Sequence, residues 1–284
     1  MGSTPMLPEI LMMNTQITSF SFGRHALLWQ GDCRQILPRC EGFDALLTDP
    51  PYGCSYKSSH NTRKANANNP WTRYVRDENF APIEGDDVPF DPTPLLDVAG
   101  DRPIILWGAN YYSDRLPANG AWLIWDKREG SRPNHQADCE MAWSNLPGVP
   151  RLFSHLWIGL CRRGEENLSC GGRKLHPNQK PVALMDWMLD QAGVQPGQTV
   201  LDPYMGSASL GVACVRRGIR YVGIEIDPTH FETARLRIDD EVDKIERLGL
   251  QPVRPAWEVQ SDLFPVEVSR KKRSKAGGVV EAQT

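Results

Sequence analysis

None of the seven cysteines, Cys33, Cys40, Cys54, Cys139, Cys161, Cys170 and Cys214, falls in a C-x-x-C pair, so the usual spacings of a structural zinc site are absent. Their odd number does not suit a disulfide framework either, and a reduced, cytoplasmic, metal-free protein is the expectation. No apolar run approaches the length of a membrane-spanning helix. The short Ile10-Leu11-Met12-Met13 patch has no positive stretch ahead of it, so neither a membrane span nor an export signal is expected. A net charge of −3 excludes a uniformly basic coat and leaves any nucleic-acid contact to local clusters. Neither G-x-G-x-x-G nor a Gly-Lys-Ser phosphate loop occurs, which removes the commonest dinucleotide and ATPase fingerprints. No internal repeat is evident.

At 284 residues the chain can bury a substantial core as one elaborated domain. Strand-length apolar runs alternating with helical patterns predict an α/β fold with a doubly wound, mostly parallel sheet. Strands are expected at Ala26 to Gln30, Phe43 to Thr48, Pro103 to Trp107, Ala121 to Trp125, Thr199 to Asp202 and Tyr221 to Ile226. A short helix should follow Gly31-Asp32 as far as Leu37. Pro181, at a first helical position, opens a helix to Gln191 that Gly193 stops. Ala208 to Arg217 reads as an amphipathic helix, and Asp227-Pro228 caps a long charged one running towards Leu248.

Two stretches interrupt this alternation. Residues 53–91 are polar, with no acid between Cys54 and Arg76, and read as a mobile functional loop. Residues 126–173 carry alternating patches at Cys139 to Ser144 and Arg151 to Ile158, which suggest an insertion of short antiparallel strands. The resulting organisation is an extension at 1–20, a first half of the domain at 21–125, the insertion, a second half at 174–250, and a tail at 251–284. The run Arg270 to Lys275 makes disorder the expectation for that tail.

One strand ends unusually. Leu46-Leu47-Thr48-Asp49-Pro50-Pro51-Tyr52 is an apolar run that stops at a carboxylate, two prolines and an aromatic ring. Prolines cannot donate ladder hydrogen bonds, so the chain must leave the sheet and present Asp49 and Tyr52 at a strand's carboxyl end, where open α/β sheets bind ligands. A merely stiff turn would look the same, and the motif alone does not decide. A second candidate is Asp202-Pro203-Tyr204-Met205-Gly206-Ser207-Ala208, a strand-to-helix turn in which Gly206 allows close approach of a ligand to the backbone. Glu225 ends the next strand, where nucleotide-binding folds place an acid against ribose hydroxyls. An ordinary βαβ turn is the bland alternative.

Asp49-Pro50-Pro51-Tyr52, His176-Pro177-Asn178-Gln179-Lys180-Pro181 and Val200 to Ser207, with Trp107 to Tyr111 and Trp125-Asp126-Lys127 in support, resemble the amino-methylating DNA methyltransferases that depend on S-adenosylmethionine. Coverage runs from roughly Leu27 to Arg247. Because the Asp49 strand precedes the Asp202 strand, the chain is similar to the permuted beta class and to its solitary prophage and bacterial adenine-N6 members. The resemblance implies a Rossmann-like methyltransferase fold with circularly permuted motif order, residues 126–173 being the target-recognition region. It implies S-adenosylmethionine as cofactor, with Asp32, Cys33, Asp49, His176, Gln179, Lys180, Asp202, Pro203, Met205, Gly206, Ser207, Glu225 and Ile226 as its binding residues. Asp32 and Cys33 would lie near adenine, because their strand should run beside the Glu225 strand. Gln179 and Lys180 would border the methionine portion at a helix start.

The resemblance also implies catalysis by Asp49, Pro50 and Tyr52. Asp49 and the Pro50 carbonyl would accept the two N–H groups of an exocyclic amine, and Tyr52 would stack on an extruded base. Double-stranded DNA is the implied partner. Lys57, Arg63, Lys64, Arg73, Arg162, Arg163, Arg173 and Lys174 are candidate phosphate contacts, although a charge run is more often a solvated face. A homodimer, nucleoid association and a restriction-modification setting are compatible with the resemblance. Aspartate at the first position of the tetrapeptide accompanies adenine N6 more often than cytosine N4, so adenine-N6 methylation by base flipping is the expected activity. Cytosine-N4 methylation is the alternative. RNA or protein-glutamine methylation is a further one, but enzymes of that kind with related loops usually place the cofactor strand first.

Overall fold

Apolar strand-length runs build a single nine-stranded sheet in the computed structural model, which describes residues 17–55, 84–131, 137–158, 161–164 and 179–249. Its strands are β1 (Thr18–Ser21), β2 (Ala26–Gln30), β3 (Ala45–Thr48), β4 (Ile104–Trp107), β5 (Ala121–Asp126), β6 (Cys139–Ser144), β7 (Arg151–Ser154), β10 (Thr199–Asp202) and β11 (Arg220–Glu225). A separate hairpin pairs β8 (Trp157–Ile158) with β9 (Cys161–Arg162). The helices are α1 (Cys33–Ile36), α2 (Thr93–Ala99), α3 (Val182–Gln191), α4 (Ser209–Arg216) and α5 (Pro228–Arg247).

The strand order is β1-β2-β11-β10-β3-β4-β6-β5-β7. Pairing is parallel from β2 through β11, β10 and β3 to β4, and again between β5 and β7, while β1 and β6 run antiparallel to their neighbours. Successive residues of the central strands alternate between two cores. Leu47, Ile105, Trp107, Val200 and Tyr221 pack with α3, α4 and α5, whereas Leu46, Ile104, Leu106, Leu201 and Val222 pack with α1 and α2. Burial on both faces is why these strands read as continuous apolar runs.

Chain order places the site. From β10 the chain crosses through α4 to β11 on one side; from β3 it crosses through α2 to β4 on the other, so the winding reverses between β10 and β3. A crevice at the carboxyl ends of two such strands is where doubly wound sheets bind ligands. Asp202 ends β10, and Asp49 follows Thr48 at the end of β3.

Several sequence expectations need correction. Segments expected in an inserted module, β6 and β7, are strands of the main sheet, and β7 pairs parallel to β5, not antiparallel. Alternating exposure reads as an independent hairpin, but here it marks the thinly covered end of the sheet, where β7 keeps little burial. Pro181 is the extended cap of α3 and not its first residue. The seven-residue α2, with a proline in its first turn, and β1 were both missed in the sequence.

Gly211 in α4 shows packing overriding propensity. A side-chain carbon there would come within 2.7 Å of Ile238 on α5 and 2.7 Å of the Tyr221 ring. Helix propensity alone favours alanine by about 1 kcal/mol. Overpacking costs about 1–3 kcal/mol, and the hydroxyl of Tyr221 is tied to Asp202, so that ring cannot retreat freely. We expect Gly211→Ala to lower the urea midpoint of unfolding by an amount equivalent to about 1–2 kcal/mol. A raised midpoint would mean that the helices absorb the methyl group.

Candidate active site

Asp202 organises the crevice. Its carboxylate accepts from the Thr48 hydroxyl at 2.7 Å and from the Tyr221 hydroxyl at 2.8 Å, so one side chain of β10 joins the strands on either side of it. Burial pushes its carboxyl up to about 6, against the pull of those two hydroxyls. The crevice holds a narrow cavity of about 60 Å³ whose lining includes Asp49, Gln179, Lys180, Asp202, Met205, Gly206 and Ser207, together with Trp107 and Tyr204.

The loop after β3 is pinned by Asp86. This buried carboxylate accepts from the backbone N–H of Tyr52 at 3.0 Å, of Gly53 at 3.0 Å and of Cys54 at 3.4 Å. Gly53 must be glycine: its φ is +74° and a side-chain carbon would sit 2.5 Å from the Val88 carbonyl oxygen. The Tyr52 ring lies against Gly108 and stacks on Tyr111, with centroids 5.2 Å apart and planes 15° from parallel.

Asp49 stands at one end of a chain of charges. Its Oδ1 accepts from the Tyr52 hydroxyl at 2.6 Å and its Oδ2 from the Lys180 ammonium at 2.5 Å. Lys180 also donates to the Tyr52 hydroxyl at 3.2 Å and lies 3.1 Å from Glu140 Oε2, whose other oxygen accepts from Lys127 at 2.9 Å. Burial pushes Asp49 above the ordinary carboxylate range despite Lys180. Burial works the same way on Glu140, but Lys180 and Lys127 together overcome it and hold that carboxyl at about 2. The Lys180 ammonium is held above its ordinary value by the same carboxylates, against burial.

The turn after β10 is joined to the end of β11 through Glu225. The Glu225 carboxylate accepts from the Gly206 N–H at 2.9 Å and the Asp227 N–H at 2.9 Å, and burial raises it to about 7. Arg237 of α5 reaches the same turn, donating to the Ser207 carbonyl at 2.5 Å. Pro203 and Met205 are buried beneath it, while Ile226 is half-buried just past β11. As expected, β2 lies directly beside β11, with Gln30 opposite Glu225. Asp32 caps α1 and is engaged by Arg34, and Cys33 is buried at the start of α1.

Among the sequence candidates, Asp49, Tyr52 and Lys180 are therefore in direct contact, and Gln179, Asp202, Met205, Gly206 and Ser207 share their cavity. Pro50 is buried beside Asp49. Arg163 is exposed and paired with Glu129. Arg162 is buried, its guanidinium 4.5 Å over the Trp157 ring. Lys57, Arg63, Lys64, Arg73, Arg173, Lys174 and His176 lie outside the described residues. Glu140, Lys127 and Asp86 were missed. Each sits in a polar or alternating stretch, and only Lys127, inside Trp125-Asp126-Lys127, carried a sequence signal.

Residues 121–236 match the family model described as DNA methylase. The match runs from β5 into α5 and takes in Glu140, Lys180, Asp202 and Glu225. A Type II methyltransferase of Streptococcus pneumoniae, M2.DpnII, is 26% identical over 119 residues, 42% of this chain and 42% of that protein. A Type II methyltransferase of Haemophilus parainfluenzae, M.HpaI, is 41% identical over 69 residues, 24% of this chain and 22% of that protein. The chain thus spans less than half the length of these curated relatives. Among solved structures, PvuII DNA methyltransferase, cytosine-N4-specific, aligns with 78% of this chain and 93% of its own at 15% identity and a TM-score of 0.48. M1.HpyAVI in complex with SAM aligns with 75% and 99% at 19% identity and 0.42.

Removing Glu140 isolates the charge chain from the rest of the fold. Glu140→Gln leaves Lys180 and Lys127 short of a carboxylate and should cost about 3 kcal/mol at pH 7. A carboxyl depressed in the folded state stabilises above its unfolded value near 4.5 and loses that contribution as pH falls towards about 2. The difference between variant and wild type in urea unfolding should therefore shrink over that window. A gap independent of pH would mean that Glu140 acts by packing.

Proposed function

We propose that this protein is an S-adenosylmethionine-dependent DNA methyltransferase that transfers a methyl group to the N6 amine of adenine in duplex DNA. The observation that carries the reading is the meeting of two loops at the winding reversal: Asp49, bonded to Tyr52 and Lys180, opens on the same cavity as the Asp202–Ser207 turn. The match of residues 121–236 to the DNA methylase model supports it from the other half of the chain.

The residues suit the cofactor's chemistry. Glu225 would offer carboxylate oxygens to ribose hydroxyls beside Gly206, and Gln179 and Lys180 would border the methionine portion, whose carboxylate the backbone N–H groups at the start of α3 would accept. Asp32 and Cys33 would border the adenine side, with Ile226 as an apolar neighbour. We assign His176 to the same site from its motif. When bound, S-adenosylmethionine supplies an electrophilic methyl group on a sulfonium.

The protein's own task is to make a poor nucleophile face that methyl group. An aromatic amine delocalises its lone pair into the ring. Asp49 accepts one N–H and the Pro50 carbonyl the other, which localises the pair on nitrogen. Each Asp49 oxygen already accepts one bond, from Lys180 or Tyr52, and keeps a further lone pair for the amine. The acceptors are held in place before the base arrives, so orientation and preorganised charge carry the rate. The proton shed after transfer passes to Asp49, whose affinity for it burial has raised. Lys57, Arg63, Lys64, Arg73, Arg163, Arg173 and Lys174 are the proposed phosphate contacts; Arg162 is set aside by its burial.

Expression in a methylation-free host, followed by sequencing that detects modified bases, gives base, atom and DNA word together. N6-methyladenine in one word is the expected result; N4-methylcytosine would move the assignment to cytosine, and unmodified DNA would overturn it. Asp49→Ala should lower kcat about 100- to 1000-fold while leaving the dissociation constant for S-adenosylmethionine within threefold. Turnover near wild type would remove Asp49 from the chemistry.

A further inference from the structure

Tyr111 and Tyr112 are neighbours with opposite fates. Tyr112 is 1% exposed and donates its hydroxyl to the Trp107 carbonyl at 2.5 Å, as a core tyrosine does. Tyr111 is 57% exposed, yet its ring is aligned on that of Tyr52. The turn that places it is specific. Gly108, with φ of +69°, follows β4 directly, and its carbonyl accepts from the Tyr111 N–H at 2.9 Å. The same glycine seats Tyr52, because a side-chain carbon at 108 would come within 2.0 Å of that ring. Tyr52 is thereby fixed by Gly108, Asp86 and Asp49, while its stacking partner is mostly in water.

We propose that Tyr111 is the second aromatic wall of the target-base pocket, lying on Tyr52 until the extruded base slides between the two rings. This rests on the reading of the site as a DNA methyltransferase. A ring between two others needs roughly 7–8 Å from outer ring to outer ring, so the present 5.2 Å must open by about 2 Å. Tyr111 is the wall that moves, since an exposed side chain changes rotamer readily whereas Tyr52 is held at ring edge and backbone. The closed stack covers the Tyr52 face that would otherwise meet water, and the base replaces one ring–ring contact by two.

The test uses the full chain and a duplex carrying the methylated word, with 2-aminopurine at the target position and S-adenosylhomocysteine as unreactive cofactor. Tyr111→Ala should remove the quenching by the second ring, so that the bound 2-aminopurine is brighter than in wild type, and should lower kcat/KM for DNA about 10- to 100-fold, with KM for S-adenosylmethionine within twofold. Tyr111→Phe should stay within threefold of wild type in both, because stacking needs the ring and not the hydroxyl. The proposal is overturned if Tyr111→Ala extrudes and methylates as wild type does, or if Tyr111→Phe is as defective as Tyr111→Ala. A wild-type protein that methylates no DNA overturns the functional reading and this proposal with it; a methylating wild type with an indifferent Tyr111→Ala overturns this proposal alone.

Discussion

The ammonium of Lys180, buried between Asp49 and Glu140, is the interaction on which the candidate site depends. An isolated ammonium in such a place costs several kcal/mol of lost hydration, and only close, opposite charges make it tenable. Lys180 has Asp49 at 2.5 Å and Glu140 at 3.1 Å, and Lys127 at 2.9 Å balances the second carboxylate. Two cations and two anions thus alternate, with Lys180 buried and the other three partly buried. The chain runs from the end of β3 to the approach to α3, then to β6 and the residue after β5. No one of these elements can shift without leaving a charge unpaired, so the position of Asp49 is set by the far side of the sheet as much as by its own loop.

This dependence explains what could be read in the sequence and what could not. Leu46 to Tyr52 was legible because two local signals agree: an apolar run buried on both faces, and prolines that must end it. The Asp202 turn was legible because strand, glycine and helix follow one another within a few residues. Lys180 was expected beside a cofactor; its bond to Asp49 joins residues 131 positions apart and exists only once the sheet has formed. Glu140 sits in an alternating segment that reads as a half-exposed hairpin strand, and nothing local says that β6 inserts between β4 and β5. Asp86 was invisible for another reason. It lies in a polar stretch whose composition suggests a solvated loop, while its role is to receive backbone N–H groups, which leave no mark on the sequence.

The carboxylates of the crevice divide by what faces them. Glu140 meets two ammonium groups and is held at about 2, whereas Asp202 meets hydroxyls and rises to about 6, and Glu225 meets backbone N–H groups and rises to about 7. Burial is the largest influence on all three and raises each, so the split comes from the partners: two ammonium groups outweigh burial at Glu140, while the dipoles facing Asp202 and Glu225 do not. The stability consequences have opposite sign. Ionising Glu140 strengthens the fold, while ionising Asp202 and Glu225 weakens it as pH rises from their unfolded values towards about 6 and about 7.

That division matches the work each group would do. Asp202 accepts from the Thr48 and Tyr221 hydroxyls and from the Tyr204 N–H, and acts as a joint between strands. Glu225 is poised where small changes in its surroundings decide its charge, and a diol donating hydrogen bonds to it would favour the ionised form. Asp49 belongs to neither group, because it is raised by burial even beside Lys180. Under the proposed function, a carboxylate that stays available as an acceptor yet binds a proton more readily than in water would hold the amine through transfer and then take the proton it sheds.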